Sequence, residues 1–209
     1  MNKENLKESI ESNYDIKVLA IEKVKNSYRL ETENTNYAIK IIKYDFPHFY
    51  FILSAIEHLQ KREFHKIPQI LNNKDGTKYI KLENSYAYLT EWIPSRVSNY
   101  DNPIELSKVA EKLGELHTRS TGFNINNNMR PRIGWYSWIN VFNTRCNEIL
   151  DFKNRINQKA YKSKFDCIYL NNIEAEIERG KKAIDNLKKH KYIEIMDKEV
   201  MKMGFCHHD

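Results

Sequence analysis

The stretch from Ile16 to Lys43 restricts the fold more than any other part of the chain. Three runs there, 16–24, 27–33 and 37–43, read as strands. Asn34, Thr35 and Asn36 separate the last two runs, and asparagine tolerates the positive φ that tight hairpins need. The segment therefore reads as an antiparallel meander. In its third run, Tyr37, Ile39 and Ile41 share one face, while Ala38, Lys40 and Ile42 share the other. Lys40 is a lone cation on an otherwise apolar face. Either its stem packs and its head reaches water, or the ammonium is desolvated and requires an acidic partner.

The period then changes. Asp45 and Pro47 form a helix start, and residues 49–62 carry an apolar stripe of Ile52, Ala55, Ile56 and Leu59. Glu57 stands at the edge of that stripe, one turn from Leu53, as the acid within the helix proper. Strand patterns return at 69–71, 79–83 and 87–93, with turns at Asp75-Gly76 and Asn84-Ser85. Pro94-Ser95-Arg96 interrupts this pattern. Asn102-Pro103-x-Glu105 then supplies an N-cap, a proline at N1 and a reciprocal glutamate at N3. The helix it opens runs to about Thr118, with Leu106, Val109, Ala110, Leu113 and His117 on a stripe expected to face a core. Beyond it lie an Asn-rich loop over 122–134 and helices over 135–158 and 169–190. The expected class is α+β: an N-terminal sheet lobe over 1–93 and a hinge with a helical lobe over 94–209.

Composition excludes several functions. Hydrophobic residues make up 41% of the 209, enough for a folded core. Only 6 glycines occur, and the stretch 24–30 has none, so no glycine-dense phosphate loop exists. The net charge of +6 comes from interspersed Lys, Arg, Asp and Glu rather than a basic stripe, which argues against a nucleic-acid partner. Cys146, Cys167 and Cys206 form neither a CxxC pair nor an even framework, as suits a reducing compartment. No apolar run has the length of a membrane span or a signal peptide, so synthesis in the cytoplasm is expected.

The sequence ends in Gly204-Phe205-Cys206-His207-His208-Asp209. These residues read as a frayed terminus, as a metal site, or as the first half of a catalytic loop. Adjacent residues rarely converge on one ion, and no zinc-spaced partner pair occurs elsewhere, which disfavours the second reading.

The order of features resembles the protein-kinase-like fold, and within it the aminoglycoside and choline phosphotransferases. The nearest likeness is to the spore coat protein CotS family. It rests on Tyr37-Ala38-Ile39-Lys40, Phe51-Ile52-Leu53-Ser54-x-Ile56-x-His58-Leu59, Asp75-Gly76, Glu91-Trp92-Ile93-x-x-Arg96, Leu113-x-x-Leu116-His117, Gly134-Trp135 and Cys206-His207-His208-Asp209. The resemblance implies ATP as cofactor, with Lys40 on the α- and β-phosphates and Glu57 paired to Lys40. It places adenine on the backbone of Glu91, Trp92 and Ile93, makes Asp209 the group that orients or deprotonates the acceptor hydroxyl, and makes His207 a brace of that loop. Magnesium ligands are expected beyond residue 209, so the chain alone is expected to lack useful turnover. Ser95 stands where the family's hinge pattern has glycine. The partners implied are a nucleotide and a small hydroxyl-bearing substrate. An alternative is a non-catalytic spore coat component, binding other coat proteins and deposited in the coat, that uses the fold for assembly.

Overall fold

A computed structural model of the protein describes residues 2–206. By contact the chain forms two compact units. One is Met1–Pro131 together with the segment that begins at Met203; the other is Arg132–Lys202. The first unit thus holds the sheet lobe and also residues 94–131, which the sequence assigns to the second lobe.

The first unit is built on the meander. Strands β1 (Ala20–Val24), β2 (Ser27–Glu31), β3 (Tyr37–Ile42), β4 (Ile80–Leu82) and β5 (Ser85–Glu91) form one antiparallel sheet in the order β1-β2-β3-β5-β4. The 69–71 run contributes a single bridge, Ile70 to Thr90. Lys25, with φ 51°, turns the first hairpin without glycine, at some cost in left-handed strain. The Asp75-Gly76 turn forms as expected: Gly76 takes φ 76°, and Asn73 Oδ1 accepts from Asp75 N and Thr77 N.

Helix α1 (Lys3–Asn13) covers one sheet face. Leu6 and Ile10 pack there with Leu30, Ile39, Ile80, Leu82, Ala87 and Leu89. Helix α2 (Phe46–Lys61) packs on the other face, where Phe49 and Leu53 meet Ile42, Ile70 and Tyr88. The alternation read from 37–42 is therefore real. Ile39 faces α1, and Ile42 faces α2.

Helix α3 (Pro103–Arg119) departs from expectation. Its Asn102 cap accepts from Ile104 N and Glu105 N, as predicted. The Glu105 carboxylate, however, does not return to the cap. It accepts from Asn99 N and grips Arg96 with both oxygens, because a guanidinium fork is the stronger donor. No residue of α3 is buried. The stripe of Leu106, Val109, Ala110, Leu113 and His117 expected to face a core stays open, Leu106 and Leu113 remaining 48% and 47% exposed. A 3.6-residue period identifies a face but cannot say whether a neighbour covers it.

The second unit contains α4 (Trp138–Asn157), α5 (Lys164–Lys189) and α6 (Tyr192–Met201), the last not foreseen. Ser163 and Asp166 form a full capping box at the start of α5, five residues before the sequence reading places it. Lys159 donates to the same carboxylate at 2.7 Å. Among the described residues, no helix is long and apolar enough to cross a membrane.

Candidate functional site

Helix α2 covers only part of its sheet face. Its partners Ile42, Tyr86 and Tyr88 lie toward the end of β3 from which α2 departs, and Ile70 covers the β5 side further along, at Thr90. The β2 and β3 side of the same rows carries different chemistry. Arg29, Ala38 and Thr90 are cross-strand partners in one row, and Lys40 lies opposite Tyr88 in the next. By alternation all of them share the face that Ile42 and Tyr88 present to α2. This half of the face brings together a lysine, an arginine and a small residue.

Lys40 is exposed and forms no ion pair among the described residues. An ammonium left in water costs nothing to hold, so it is ready for an anion. Burial pushes the phenol of Tyr88, its cross-strand partner, up to about 12. That phenol is uncharged at neutral pH and does not compete with Lys40 for positive charge.

The pair expected between Lys40 and Glu57 is not formed. Glu57 instead forms an ion pair with Lys78, N to O 3.1 Å. The reason is local. Phe46 and Phe49 of α2 set their rings against Tyr79, so Lys78, next to Tyr79, is the cation at hand. Both side chains of the Lys78–Glu57 pair are about a third exposed, at 35% and 33%. Such a pair contributes at most about 1 kcal/mol, and the carboxylate can exchange partners cheaply.

Glu91, Trp92 and Ile93 leave the sheet along the edge of this open half. Trp92 N donates to Asn36 O at 2.9 Å, continuing the β3–β5 ladder by one step. In an antiparallel ladder, successive residues turn their N–H and C=O to opposite sides. Glu91 O and Ile93 N therefore point away from β3. Ile93 N has no hydrogen-bond partner among the described residues, and Glu91 O accepts only from the Thr90 hydroxyl, at 3.2 Å. The arrangement is an acceptor and a donor facing the same way, two residues apart. The Arg96–Glu105 pair and the Asn99 N–H bond then tie the following loop to α3.

Asp209 and His207 lie outside the described residues. The chain leading to them does not hang free. Phe123 N donates to Met203 O at 2.9 Å, and Phe205 meets the rings of Phe51, His58 and Phe123. His58 on α2 also bonds Thr121 O through Nε2 at 3.0 Å. At the start of α2, Arg130 pairs with Asp45, and its N–H donates to Pro47 O. The helix that carries Glu57 is thus fastened to segments 121–130 and 203–205. Among the described residues, no three His, Cys, Asp or Glu side chains gather into a metal cage. No step through magnesium is therefore assigned to them.

Sequence reasoning missed Arg29 and Lys78. Arg29 was detectable: it alternates with Tyr28 and Leu30, which places it on the Ala38–Lys40 face once the hairpin register is known. Nothing local marks Lys78.

Known proteins agree with this architecture. An aminoglycoside phosphotransferase from Alicyclobacillus acidocaldarius superposes with a TM-score of 0.82 at 18% identity, over 97% of this chain and 59% of that one. The spectinomycin phosphotransferase APH(9)-Ia, solved with AMP, matches at 0.59 and 18% identity, over 89% of this chain and 57% of that one. A microcompartment-associated aminopropanol kinase matches at 0.51 and 13% identity, over 73% and 57%. At such identities the likeness shows the fold, which is the protein-kinase-like phosphotransferase fold expected from the motif order. The chain spans little more than half the length of these structures. The family described as "Spore coat putative kinase YutH" matches residues 7–194. The narrower likeness expected was to CotS; the match names YutH, within the same kinase-like superfamily. With nearly all of the sheet lobe and the helices after it inside the match, the chain belongs to the spore coat kinase-like YutH family.

Proposed function

We propose that this chain is the nucleotide-binding part of an ATP-dependent small-molecule phosphotransferase associated with the spore coat. The observation that carries this reading is the half-face that holds Lys40, unpaired among the described residues, beside a strand exit whose Glu91 O and Ile93 N face outward together. Adenine needs one acceptor and one donor at that spacing, and the phosphates need a cation further along the same face. In this reading Lys40 holds the α- and β-phosphates, and the Glu91–Ile93 backbone holds the base with Trp92 beside it. Glu57 leaves Lys78 for Lys40 when nucleotide binds. Asp209 serves the acceptor hydroxyl, and magnesium is held by carboxylates other than those described. The lobes of the whole protein meet at about residue 93. Solved relatives carry AMP, or ADP with spectinomycin, which supports a nucleotide and a small hydroxyl-bearing acceptor as ligands.

The test is binding. Adding ATP to the 209-residue chain should raise its melting temperature, and Lys40→Ala should remove most of the rise. An unchanged melting curve with millimolar ATP refutes the reading. Turnover by the chain alone is expected to be negligible, because metal stabilisation supplies several kcal/mol of the barrier and about 1.4 kcal/mol is tenfold in rate. ATP-dependent transfer by this chain that Lys40→Ala abolishes would overturn that expectation.

The second reading, a coat assembly module with a kinase fold and no nucleotide, is favoured by the coat family itself and by the uncovered stripe on α3. The same melting experiment separates the two. Synthesis in the cytoplasm with later deposition in the coat, beside other coat proteins, suits both.

A further inference from the structure

Arg29 has no role in the reading above, yet its surroundings are unusual. It sits on β2 directly opposite Ala38, on the half-face that α2 leaves open. Its guanidinium carbon lies 5.7 Å from the centre of the Trp92 ring, over the strand exit. Two carboxylates share the positive charge at long range only, Glu22 at 3.9 Å and Glu31 at 3.7 Å. Neither distance is a hydrogen bond. The Nε atom is buried and has no hydrogen-bond partner among the described residues, so the side chain is held by its place over Trp92 rather than by a bond at that atom. The Arg29 guanidinium is therefore a flat cation oriented by the aromatic ring of Trp92, the residue between Glu91 and Ile93.

We infer that Arg29 is a base-binding residue of the site proposed above: its guanidinium plane stacks on a purine whose edge is held by Glu91 and Ile93. The inference rests on the nucleotide reading but assigns a distinct task. Lys40 answers the phosphates as a compact charge, whereas Arg29 answers the flat ring, and the planar guanidinium is suited to that contact where an ammonium is not. The Ala38 opposite Arg29 leaves room beneath the plane, and Glu22 and Glu31 keep the charge from drawing the phosphates to this end.

The experiment compares three probes on the 209-residue chain: ATP, adenosine and inorganic tripolyphosphate. Affinities are read by calorimetry and by fluorescence in a Trp135→Phe, Trp138→Phe background, where Trp92 is the sole indole. Arg29→Met is expected to weaken ATP and adenosine by about tenfold each, the scale of a desolvated cation–π contact, and to leave tripolyphosphate within twofold. Arg29→Lys, which keeps the charge and loses the plane, should weaken adenosine nearly as much. Lys40→Ala should do the reverse, weakening tripolyphosphate and sparing adenosine. Adenosine should change Trp92 emission in the reporter chain and not in its Arg29→Met form. Far-UV circular dichroism of each variant confirms that it folds. If Arg29→Met weakens tripolyphosphate as much as adenosine, Arg29 holds phosphate and the inference falls. Unchanged adenosine affinity in Arg29→Met also overturns it, while the nucleotide reading stands. If the unsubstituted chain binds none of the three, both fall together.

Discussion

Gly180 offers a sharp test of how the helical unit is packed. It lies inside α5, and a Cβ added there would fall well within van der Waals contact of Cys146 Sγ on α4, a buried thiol. Two effects oppose each other when Gly180 becomes alanine. Within a helix, alanine is favoured over glycine by about 1 kcal/mol. Forcing a methyl into a filled contact costs about 1–3 kcal/mol. With the middle of that range the net is a loss of about 1 kcal/mol, or roughly 2–4 °C in melting temperature for a chain of this size. If Cys146 is first changed to alanine, the obstructing sulfur is gone. Gly180→Ala should then raise the melting temperature by about the same 2–4 °C. The sign reverses, and the two sites show a coupling of about 2 kcal/mol. Thermal melts and urea titrations of the four proteins, followed by circular dichroism, give the cycle. A gain from Gly180→Ala in both backgrounds would mean that α4 and α5 do not approach at this point, and the reasoning would fail.

Tyr14 is 3% exposed, and its buried hydroxyl has no hydrogen-bond partner among the described residues. Burial also pushes the phenol to about 12, so it stays neutral across ordinary pH. Tyr14→Phe should stabilise by about 1 kcal/mol because an unmatched hydroxyl is removed; a loss of stability in urea titrations would show that the hydroxyl has a partner. Lys78→Met should cost less than about 1 kcal/mol, since the Glu57 pair is half in solvent; a loss above 2 kcal/mol by the same titration would contradict this. Arg96 and Asn99 N hold the Glu105 carboxyl down to about 2. A depressed carboxyl stabilises above its unfolded value near 4.5 and loses that contribution as pH falls through about 2. Amide protection factors in 96–105, taken relative to the intrinsic exchange rate at each pH, should therefore fall from pH 4.5 downward, and Glu105→Gln should abolish that dependence. Asn102→Ala removes the cap on Ile104 N and Glu105 N and should cost about 1 kcal/mol by thermal melting; an unchanged melt would show that the cap contributes nothing.

The motif order allowed the kinase-like fold to be recognised before any coordinates, and the local signals that support it mostly hold. The 37–42 alternation, the helix after Asp45, the Asp75-Gly76 turn and the Asn102 cap are all where the sequence puts them. Each is a decision made within a few residues, by side-chain direction, fixed φ or a single short hydrogen bond. Other features were not legible because they depend on which surfaces meet. The sequence placed Lys40 and Glu57 on facing elements, yet Glu57 chose Lys78, because reach and the local packing of Tyr79 decide ion pairs. The α3 stripe has the pattern of a core face and is left uncovered among the described residues, since periodicity records a preference and not a partner.

What the sequence alone determined is the repertoire: a meander with a lone lysine on one face, a helix to pack against the sheet, and a strand exit rich in aromatic and polar residues. What only the tertiary structure decided is how far the cover extends. Helix α2 packs with Ile42, Tyr88 and Ile70 on the β5 side of the face, and Arg29 and Lys40, on β2 and β3 in the same rows, stay outside that cluster. The cleft is the part of the sheet that packing did not close. Packing depends on volumes brought together from distant parts of the chain, which no local pattern encodes.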